Sequence, residues 1–466
     1  MIPEYFEHMM TFYDRLQHLR AHFASGGARP YEARREALRS LRKAIVDHEE
    51  ELLAAMHTDM RKPRSEAYMT DVGLVLVAID HALKHLKEWM APQRIHTPLA
   101  IQPAECTVYS EPLGVVLIIA PWNYPVLLLL DPLVGAIAAG NCAVLKPSEE
   151  VPATSAVLER MVREALPAEQ VMLVQGKGGE VVPALMEDFR FDHIFFTGST
   201  KVGKNILAMA APQLTPVTLE LGGKTPSIVD RRADVKVAAK RIAWSKNFNA
   251  GQTCIATDHA LVHASVMDEF LEAYGRSVER AFGENPQDSP HFARLVNDDR
   301  FTVVKNYLSQ GSTYLGGIAD PADRYISPTV LVHVPLDNPV LKEEIFGPVL
   351  PVIPWTDREE VIAITQRNPQ PLATYIFSND SGTQEYFRER IAFGGGCINH
   401  CMLHFGVPDL PFGGLGNSGM GRYHGRATFD LFSARKGMVH ASTLLDHGLQ
   451  EPPYTTFKEK VLRRFL

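Results

Sequence analysis

Cysteine is scarce in this 466-residue sequence, which has five, at positions 106, 142, 254, 397 and 401. A small, odd and unevenly spaced set does not form a disulfide framework, so we expect a reducing compartment, the cytoplasm. The first twenty residues also lack the basic start and apolar core of a secretory signal.

Long apolar runs and an excess of positive charge are missing as well. The most apolar stretch, residues 115–145, is interrupted by three prolines and Asp131. It therefore lacks the roughly 20 consecutive apolar residues of a transmembrane helix, and we expect no integral membrane segment. The net charge of -7 argues against a nucleic-acid partner, which binds a basic face.

The composition and length indicate an ordinary globular protein with more than one domain. Hydrophobic residues make up 45% and charged residues 22% of the chain. A single hydrophobic core seldom serves 466 residues, so two or more domains are expected.

Strand-like and helix-like segments alternate from residue 107 onward. The continuous apolar run at 114–120 is typical of a strand buried on both faces, and an apolar helix at 127–139 follows it. Alternation of this kind favours parallel strands with crossover helices. It starts afresh between residues 227 and 398, so the sequence predicts two doubly wound α/β domains.

A glycine-containing segment, FTGSTKVG at residues 196–203, follows a predicted strand and opens a predicted helix. Glycine lets the backbone approach a ligand, and a helix start offers free N–H groups to a phosphate. The spacing lacks the full G-x-G-x-x-G pattern, so an ordinary tight turn is equally compatible with it.

Three side chains suit acyl chemistry. Cys254 lies among small and polar residues, which suits a reachable thiolate, although a buried structural cysteine is the alternative. Glu220 lies between two leucines, where desolvation would raise its pKa toward the range of a general base; an ion-paired loop carboxylate is the alternative. Asn123 follows the buried strand and offers an amide donor for an oxyanion, unless its segment is a plain turn.

Seven short segments occur in the order found in the aldehyde dehydrogenase superfamily. They are 121–125 (PWNYP), 146–149 (KPSE), 196–203 (FTGSTKVG), 220–224 (ELGGK), 251–254 (GQTC), 343–348 (EEIFGP) and 410–421 (LPFGGLGNSGMG). The sequence resembles this superfamily from about residue 30 to 440. The run at 417–421 and the Tyr-His-Gly at 423–425 most resemble class 3, the fatty and aromatic aldehyde group.

The resemblance implies an enzyme that oxidises medium- or long-chain aliphatic or aromatic aldehydes to carboxylic acids with NAD(P)+. It implies that Cys254 is the nucleophile, forming a thiohemiacetal and then a thioester. Asn123 and the backbone N–H of Cys254 would hold the oxyanion, and Glu220 would activate water for hydrolysis. A thioester-forming esterase and a non-catalytic cofactor-binding relative are the alternatives.

The resemblance also implies eight cofactor contacts. They are Trp122, Lys146, Glu149, Gly198, Ser199, Gly203, Glu344 and Phe346. Lys146 and Glu149 would meet the adenosine ribose, Glu344 the nicotinamide ribose, and residues 198–203 the pyrophosphate. A carboxylate at Glu149 would repel a 2′-phosphate, which favours NAD while leaving NADP open.

The expected domain division follows the same resemblance. The NAD(P)-binding domain comprises residues 1–98 and 112–219, and the catalytic domain residues 220–405. Residues 99–111 and 406–445 form a small β bridging or oligomerisation element. Within it, the strand-like segments 101–110 and 429–439 are expected to support a homodimer.

Two remaining segments give weaker indications. Residues 446–466 form a C-terminal tail ending in a basic amphipathic helix, which is expected to cover the tunnel mouth or a partner subunit, with weak contact to a lipid surface as the alternative. The run CINHCMLH at 397–404 superficially resembles a zinc site. Its ligands lie too close in sequence to surround a tetrahedral metal, so no metal is predicted.

Overall fold

The computed structural model describes residues 12–187, 189–444 and 448–465. The helices, in chain order, are α1 (Phe12–Ser25), α2 (Tyr31–Asp47), α3 (Glu49–Met60), α4 (Arg64–Ala67), α5 (Gly73–Met90), α6 (Leu127–Ala139), α7 (Pro152–Ala165), α8 (Gly178–Glu187), α9 (Thr200–Ala210), α10 (Val235–Asn247), α11 (Met267–Phe282), α12 (Asp298–Tyr307), α13 (Arg358–Gln366), α14 (Ser381–Arg390), α15 (Gly425–Leu431) and α16 (Thr456–Phe465).

The strands are β1 (Gln93–Ile95), β2 (Ala104–Pro112), β3 (Val115–Ile119), β4 (Cys142–Lys146), β5 (Val171–Leu173), β6 (His193–Thr197), β7 (Val217–Glu220), β8 (Pro226–Val229), β9 (His259–His263), β10 (Ser312–Leu315), β11 (Ala319–Asp320), β12 (Tyr325–Ile326), β13 (Thr329–Val332), β14 (Val349–Trp355), β15 (Ala373–Phe377), β16 (Gly395–Ile398), β17 (Gly419–Met420) and β18 (Ser433–Ala441). A π-helical turn, Tyr68–Val72, joins α4 to α5.

The first large sheet has the order β5-β4-β3-β6-β7-β17. Strands β3 to β7 are parallel, and the short β17 adds an antiparallel edge. Every residue of β3, β4 and β6 is buried, as expected where helices cover both faces of a sheet. The strand order reverses between β3 and β6, and in such sheets ligands bind outside the carboxyl ends of the strands at this point.

The second large sheet has the order β10-β13-β14-β9-β8-β15-β16. Its strands are parallel from β13 to β16, and only β10 is antiparallel. Helices connect successive parallel strands of both sheets, so the two predicted doubly wound α/β units are confirmed.

A small antiparallel sheet with the order β1-β2-β18 is the predicted third element. Strands β2 and β18 pair over nine residues, from Ala104 with Ala441 to Pro112 with Ser433. Two details differ from the sequence prediction. Strand β1 begins at Gln93, ahead of the predicted start at 99, and residues 429–431 are the last turn of α15, so this strand begins only at Ser433. The full domain division remains a prediction, and residues 1–11 and 445–447 lie outside the described residues.

The C-terminal tail ends in a helix, as predicted. Helix α16 lies against the turn Leu99–Ile101, and the Phe457 side chain is 72% exposed. Within the described ranges, no helix combines the length and apolar composition needed to cross a bilayer.

Candidate active site

One cavity of about 340 Å³ lies between the loops of the two large sheets. It is lined by residues at the ends of three neighbouring strands of the first sheet and by residues from two loops of the second sheet. The ends of β3, β6 and β7 meet at one edge because these strands are parallel neighbours. The predicted residues that line this cavity are Trp122, Asn123, Gly198, Ser199, Glu220, Cys254, Glu344 and Phe346. The sheet order therefore brings together residues that lie far apart in the sequence.

The loop that carries Cys254 has an unusual backbone. Asn249 and Ala250 both have φ of 51° and Gly251 has φ of 75°, so three successive residues adopt the left-handed region. For a residue other than glycine this conformation costs about 1–3 kcal/mol, so neighbouring structure must hold it. The half-buried carboxyl group of Glu66 does so by accepting the N–H of Asn249 at 3.0 Å.

The thiol of Cys254 faces the cavity and is partly exposed. Burial, together with the nearby carboxylates of Glu344 and Glu220, raises its pKa to about 12. The resting sulfur is therefore protonated at neutral pH. A nearby positive charge or a base is needed to form the thiolate, the form that attacks carbonyl carbon.

Asn123 is almost fully buried beside the loop that carries Cys254. Its side-chain nitrogen donates one hydrogen bond to the carbonyl oxygen of Gln252 at 3.0 Å. A primary amide has two N–H donors, so this bond fixes the side chain and leaves the second donor for a ligand. The side chain predicted to hold the oxyanion is therefore anchored to Gln252, which lies two residues before Cys254 in the sequence.

Glu220 ends β7 and is 3% exposed. Among the residues that the structure describes, neither of its carboxylate oxygens has a hydrogen-bond partner. Burial raises its pKa well above the usual value, and the positive charge of Arg422 opposes this only in part. Glu220 lies in the desolvated environment predicted for it, in which the raised pKa makes its ionised form a stronger base.

Glu344 projects toward the backbone of Gly222, where a β-carbon would lie 2.0 Å from its Oε2. Its Oε1 has no hydrogen-bond partner within the described ranges. Burial and the charge of Asp258 raise its pKa to about 8. A buried carboxyl oxygen without a partner, at the wall of a cavity, suits a ligand that donates hydroxyl groups.

The residues on either side of Glu344 are fixed by a buried ion pair that the sequence did not single out. Lys224 pairs with Asp258 and also donates to the carbonyl oxygen of Glu343 at 2.7 Å. Asp258 in turn accepts the N–H of Ile345 at 2.9 Å. This pair therefore holds the backbone of Glu344 from both sides.

Aromatic side chains line much of the cavity. Phe346 makes an edge contact with Trp122, with ring centroids 5.4 Å apart. The sequence did not identify Phe405, Phe412 and Tyr423 as site residues, although all three line the cavity. They come from irregular loops after residue 400, where no periodicity marks the inward-facing positions.

Arg300 also lines the cavity and was missed. It donates to the carbonyl oxygen of Ile345 at 2.7 Å, and its guanidinium lies 5.9 Å from the centre of the Phe346 ring. Arg300 lies near the start of α12, and no local sequence signal separates it from a surface arginine.

The glycine-containing turn after β6 opens helix α9, and Gly198 and Ser199 in it line the cavity. Ser199 caps α9, its hydroxyl accepting the N–H of Val202 at 3.4 Å. A β-carbon at Gly203 would lie 2.7 Å from the side chain of Leu221, so glycine lets the helix pack closely on the next loop. The helix start therefore presents free N–H groups beside the cavity.

Lys146 and Glu149 lie at the end of β4. The Lys146 ammonium lies 3.2 Å from Oε2 of Glu149, and Oε1 of Glu149 accepts the N–H of Gly178 at 2.8 Å. Partial burial would raise the pKa of Glu149, but these donors outweigh it and hold the pKa below its usual value. Glu149 is therefore ionised near the start of α8. Of the predicted cofactor contacts, Lys146, Glu149 and Gly203 do not line the cavity.

All five cysteines are free, and those of the 397–404 run face different neighbours. Cys397 lies 3.6 Å from Nδ1 of His404, whereas Cys401 lies 3.8 Å from the hydroxyl of Thr257. Over the described ranges, no group of three or more His, Cys, Asp or Glu residues is arranged to hold a metal ion.

Comparisons with known proteins agree with this geometry. The sequence pattern of the Aldehyde dehydrogenase family matches residues 16–438. The chain is 42% identical over 445 residues to 4,4'-diaponeurosporen-aldehyde dehydrogenase of Staphylococcus aureus, covering 95% of this chain and 96% of that protein. It is 42% identical over 458 residues to aldehyde dehydrogenase family 3 member B1 of Rattus norvegicus, covering 97% of both.

Solved structures give the same result. A substrate-bound structure of Staphylococcus aureus AldH superposes with a TM-score of 0.95 at 41% identity, covering 98% of this chain and 99% of that one. An NAD+ complex of a Bacillus cereus aldehyde dehydrogenase superposes with a TM-score of 0.83 at 28% identity, covering 92% and 88%. An NADP-dependent enzyme of E. coli superposes with a TM-score of 0.84 at 26% identity, covering 92% and 90%. With its fold, its cavity and these likenesses, the chain belongs to the aldehyde dehydrogenase family, in class 3.

Proposed function

We propose that this protein oxidises medium- or long-chain aliphatic or aromatic aldehydes to carboxylic acids through a thioester on Cys254. The observation that carries the proposal is the shared cavity, which Cys254, Asn123, Glu220 and Glu344 all line. These four side chains supply a nucleophile, an oxyanion donor, a base and a hydroxyl acceptor within one enclosed space.

The first step forms a bond between sulfur and carbon. The thiolate of Cys254 attacks the aldehyde carbon, and the negative charge moves to the former carbonyl oxygen. The free N–H of Asn123 and the backbone N–H of Cys254 hold that oxygen. Each such donor contributes on the order of 10²–10³ in rate.

Oxidation converts this adduct to a thioester. A nicotinamide dinucleotide held by Ser199, Glu344 and Phe346 would supply the hydride acceptor and a positive charge for this step. Such a charge opposes the effect of Glu344 and Glu220, the carboxylates that raise the pKa of Cys254 in the resting protein.

Hydrolysis releases the acid. In its ionised form Glu220 takes a proton from water, the oxygen attacks the thioester carbon, and the carbon–sulfur bond breaks to return Cys254. The unpartnered oxygens of Glu220 are free to accept that proton. The balance is one aldehyde, one oxidised dinucleotide and one water consumed, with one acid, one reduced dinucleotide and one proton formed.

The residues around the cavity fit a dinucleotide with NAD preferred over NADP. The unpartnered Oε1 of Glu344 suits a ribose hydroxyl, and the N-terminus of α9 suits a pyrophosphate. Glu149 stays ionised and would repel a 2′-phosphate, while the neighbouring Lys146 reduces that repulsion. Solved structures of an NAD+ complex and of an NADP-dependent enzyme, to which this chain is similar, support both cofactors.

The cavity wall favours an apolar aldehyde. Its apolar and aromatic lining includes Leu128, Leu372, Phe405, Phe412 and Tyr423. These side chains bury an alkyl or aryl group well and offer few hydrogen bonds to a polar one.

We also propose a homodimer in which β18 takes part. Strand β18 forms one edge of the three-stranded sheet, and Met438 and Val439 on it are 43% and 56% exposed. An open strand edge with exposed apolar side chains is a ready pairing surface. Sedimentation of the purified chain tests this proposal, because a monomer at micromolar concentration would contradict it.

Formation of NADH from aldehyde and NAD tests the proposed activity. We expect turnover with hexanal, longer alkanals and benzaldehyde, ranked by kcat/KM. Hydrolysis of an activated ester without NADH formation from any aldehyde would favour the esterase alternative. Binding of NADH without either reaction would favour a non-catalytic relative.

A further inference from the structure

Two buried, oppositely charged side chains lie beneath the oxyanion side of the site. Lys62 and Asp71 are both fully buried, and the Lys62 ammonium lies 2.6 Å from Oδ2 of Asp71. Neither Lys62 nor Asp71 is among the residues that line the cavity containing Cys254. A buried ion pair recovers its desolvation cost only with additional hydrogen bonds, so the contacts of both groups define what the pair holds in place.

Asp71 holds the start of helix α6. Its Oδ1 accepts the N–H groups of Val126 and Leu127 at 3.1 and 3.2 Å. These N–H groups belong to the first turn, where a helix supplies no backbone acceptors. The pair therefore fixes where α6 begins, directly after the segment that carries Asn123.

Lys62 holds the segment that carries Asn123. Its ammonium donates to the main-chain oxygen of Asn123 at 3.1 Å and lies 4.0 Å from the centre of the Tyr124 ring. The same oxygen accepts a hydrogen bond from the side chain of Asn249 at 3.0 Å. The Tyr124 hydroxyl in turn bonds to Thr253, the residue before the nucleophile.

We propose that Lys62, paired with Asp71, is a positioning residue for aldehyde oxidation that holds Asn123 at the distance from Cys254 which the oxyanion requires. The proposal rests on the proposed function, in which Asn123 is the donor. Lys62 acts on the Asn123 backbone, while Gln252 fixes the Asn123 side chain. An oxyanion donor acts within about 2.7–3.1 Å, and a displacement of about 1 Å costs on the order of 10²-fold in rate.

The first experiment removes the pair in the full-length protein. Lys62→Met alone leaves the Asp71 carboxylate buried without its partner, so Lys62→Met with Asp71→Asn is the main variant. The Asn oxygen still accepts the N–H groups of α6 in that variant. We expect the single-turnover rate of NADH formation to fall about 10- to 100-fold. The Kd for NADH, from fluorescence titration, is expected to stay within about twofold because neither residue lines the cavity.

The control is a pair of the same residue types on the surface. Lys43 and Asp47 form an exposed ion pair on α2. Lys43→Met with Asp47→Asn is expected to leave both the single-turnover rate and the NADH affinity unchanged.

The second experiment separates positioning from a general structural effect. The Lys62 and Asp71 substitutions are repeated in an Asn123→Ala background, where there is no side-chain donor left to position. We expect the further loss there to be less than about threefold, because coupled residues give non-additive losses. Equal fold-losses in the two backgrounds, or an unchanged rate in the first experiment, would overturn the inference. Failure of the wild-type protein to form NADH would instead overturn the proposed function on which it rests.

Discussion

Gly251 lies directly against Gly347: a β-carbon on Gly251 would be 2.3 Å from the carbonyl oxygen of Gly347. One glycine belongs to the loop of Cys254 and the other follows Phe346 in the loop of Glu344. The position of the Cys254 sulfur is therefore coupled through backbone contact to the position of the carboxylate proposed to hold the cofactor.

Substitution of Gly251 should impair both the reaction at Cys254 and the binding of NAD. Gly251→Ala adds a side chain to a residue with φ of 75° and forces the two loops apart. We expect kcat to fall more than about 100-fold and KM for NAD to rise, because a misplaced nucleophile loses its geometry. Steady-state kinetics measure both. The control is Gly275→Ala in α11, where the added β-carbon has no neighbour within 4 Å among the described residues and wild-type kinetics are expected.

Removal of the thiol should separate catalysis from cofactor binding. We expect Cys254→Ala to form no measurable NADH in either the first or later turnovers, since no other cysteine lines the cavity in the described part of the chain. Binding of NADH should stay within about threefold of wild type by fluorescence titration. Turnover above about 1% of wild type would refute Cys254 as the nucleophile.

Glu220→Gln should slow hydrolysis more than oxidation. The substitution keeps the shape of the side chain but removes its ability to take a proton from water. We expect a single-turnover burst of NADH close to wild type, followed by a steady state slower by about 10²- to 10⁴-fold. Rapid-mixing absorbance separates the two phases. If burst and steady state fall together, Glu220 acts before the thioester forms.

The same variant should change the pH dependence of stability. Because burial raises the pKa of Glu220 in the folded protein, the unfolded chain loses this proton first as pH rises. Stability is therefore lost above the unfolded pKa, near 4.5, by about 1.4 kcal/mol per pH unit until the folded pKa is reached. We expect Glu220→Gln to raise Tm more at pH 8 than at pH 5. An equal change at the two pH values would contradict the proposed burial of a protonated carboxyl.

Glu149→Gln should shift the cofactor preference. The ionised carboxylate is proposed to repel a 2′-phosphate, so we expect the ratio of kcat/KM for NADP to that for NAD to rise at least about tenfold, or about 1.4 kcal/mol. The control Glu180→Gln removes an exposed carboxylate of α8 whose ammonium partner, on Lys177, lies 3.9 Å away. No change in the ratio is expected for that control.

The elements predicted best from the sequence are those that are wholly apolar. The helix at 127–139 has the predicted bounds, and the strand at 114–120 differs by one residue at each end. Both are buried on all sides, so their pattern depends little on distant contacts. The amphipathic pattern of residues 31–60 predicts one long helix. The structure has two helices that meet at His48, because the glutamates at 49–51 favour a new helix start.

The candidate site was predicted from ordered motifs, while its supporting residues were not. Asn123, Glu220 and Cys254 lie within recognisable segments and line one cavity. Lys62 and Arg300 act through backbone oxygens of segments far away in the sequence. Contacts of this kind leave no local pattern, because a single sequence does not distinguish a lysine or arginine that makes such a contact from one on the surface.

The nine-residue pairing of β2 with β18 has a consequence for synthesis. A ribosome makes β18 long after β2, because the strands of both large sheets lie between them in the sequence. Until β18 emerges, one edge of β2 lacks its native neighbour, and completion of the small sheet waits for that strand.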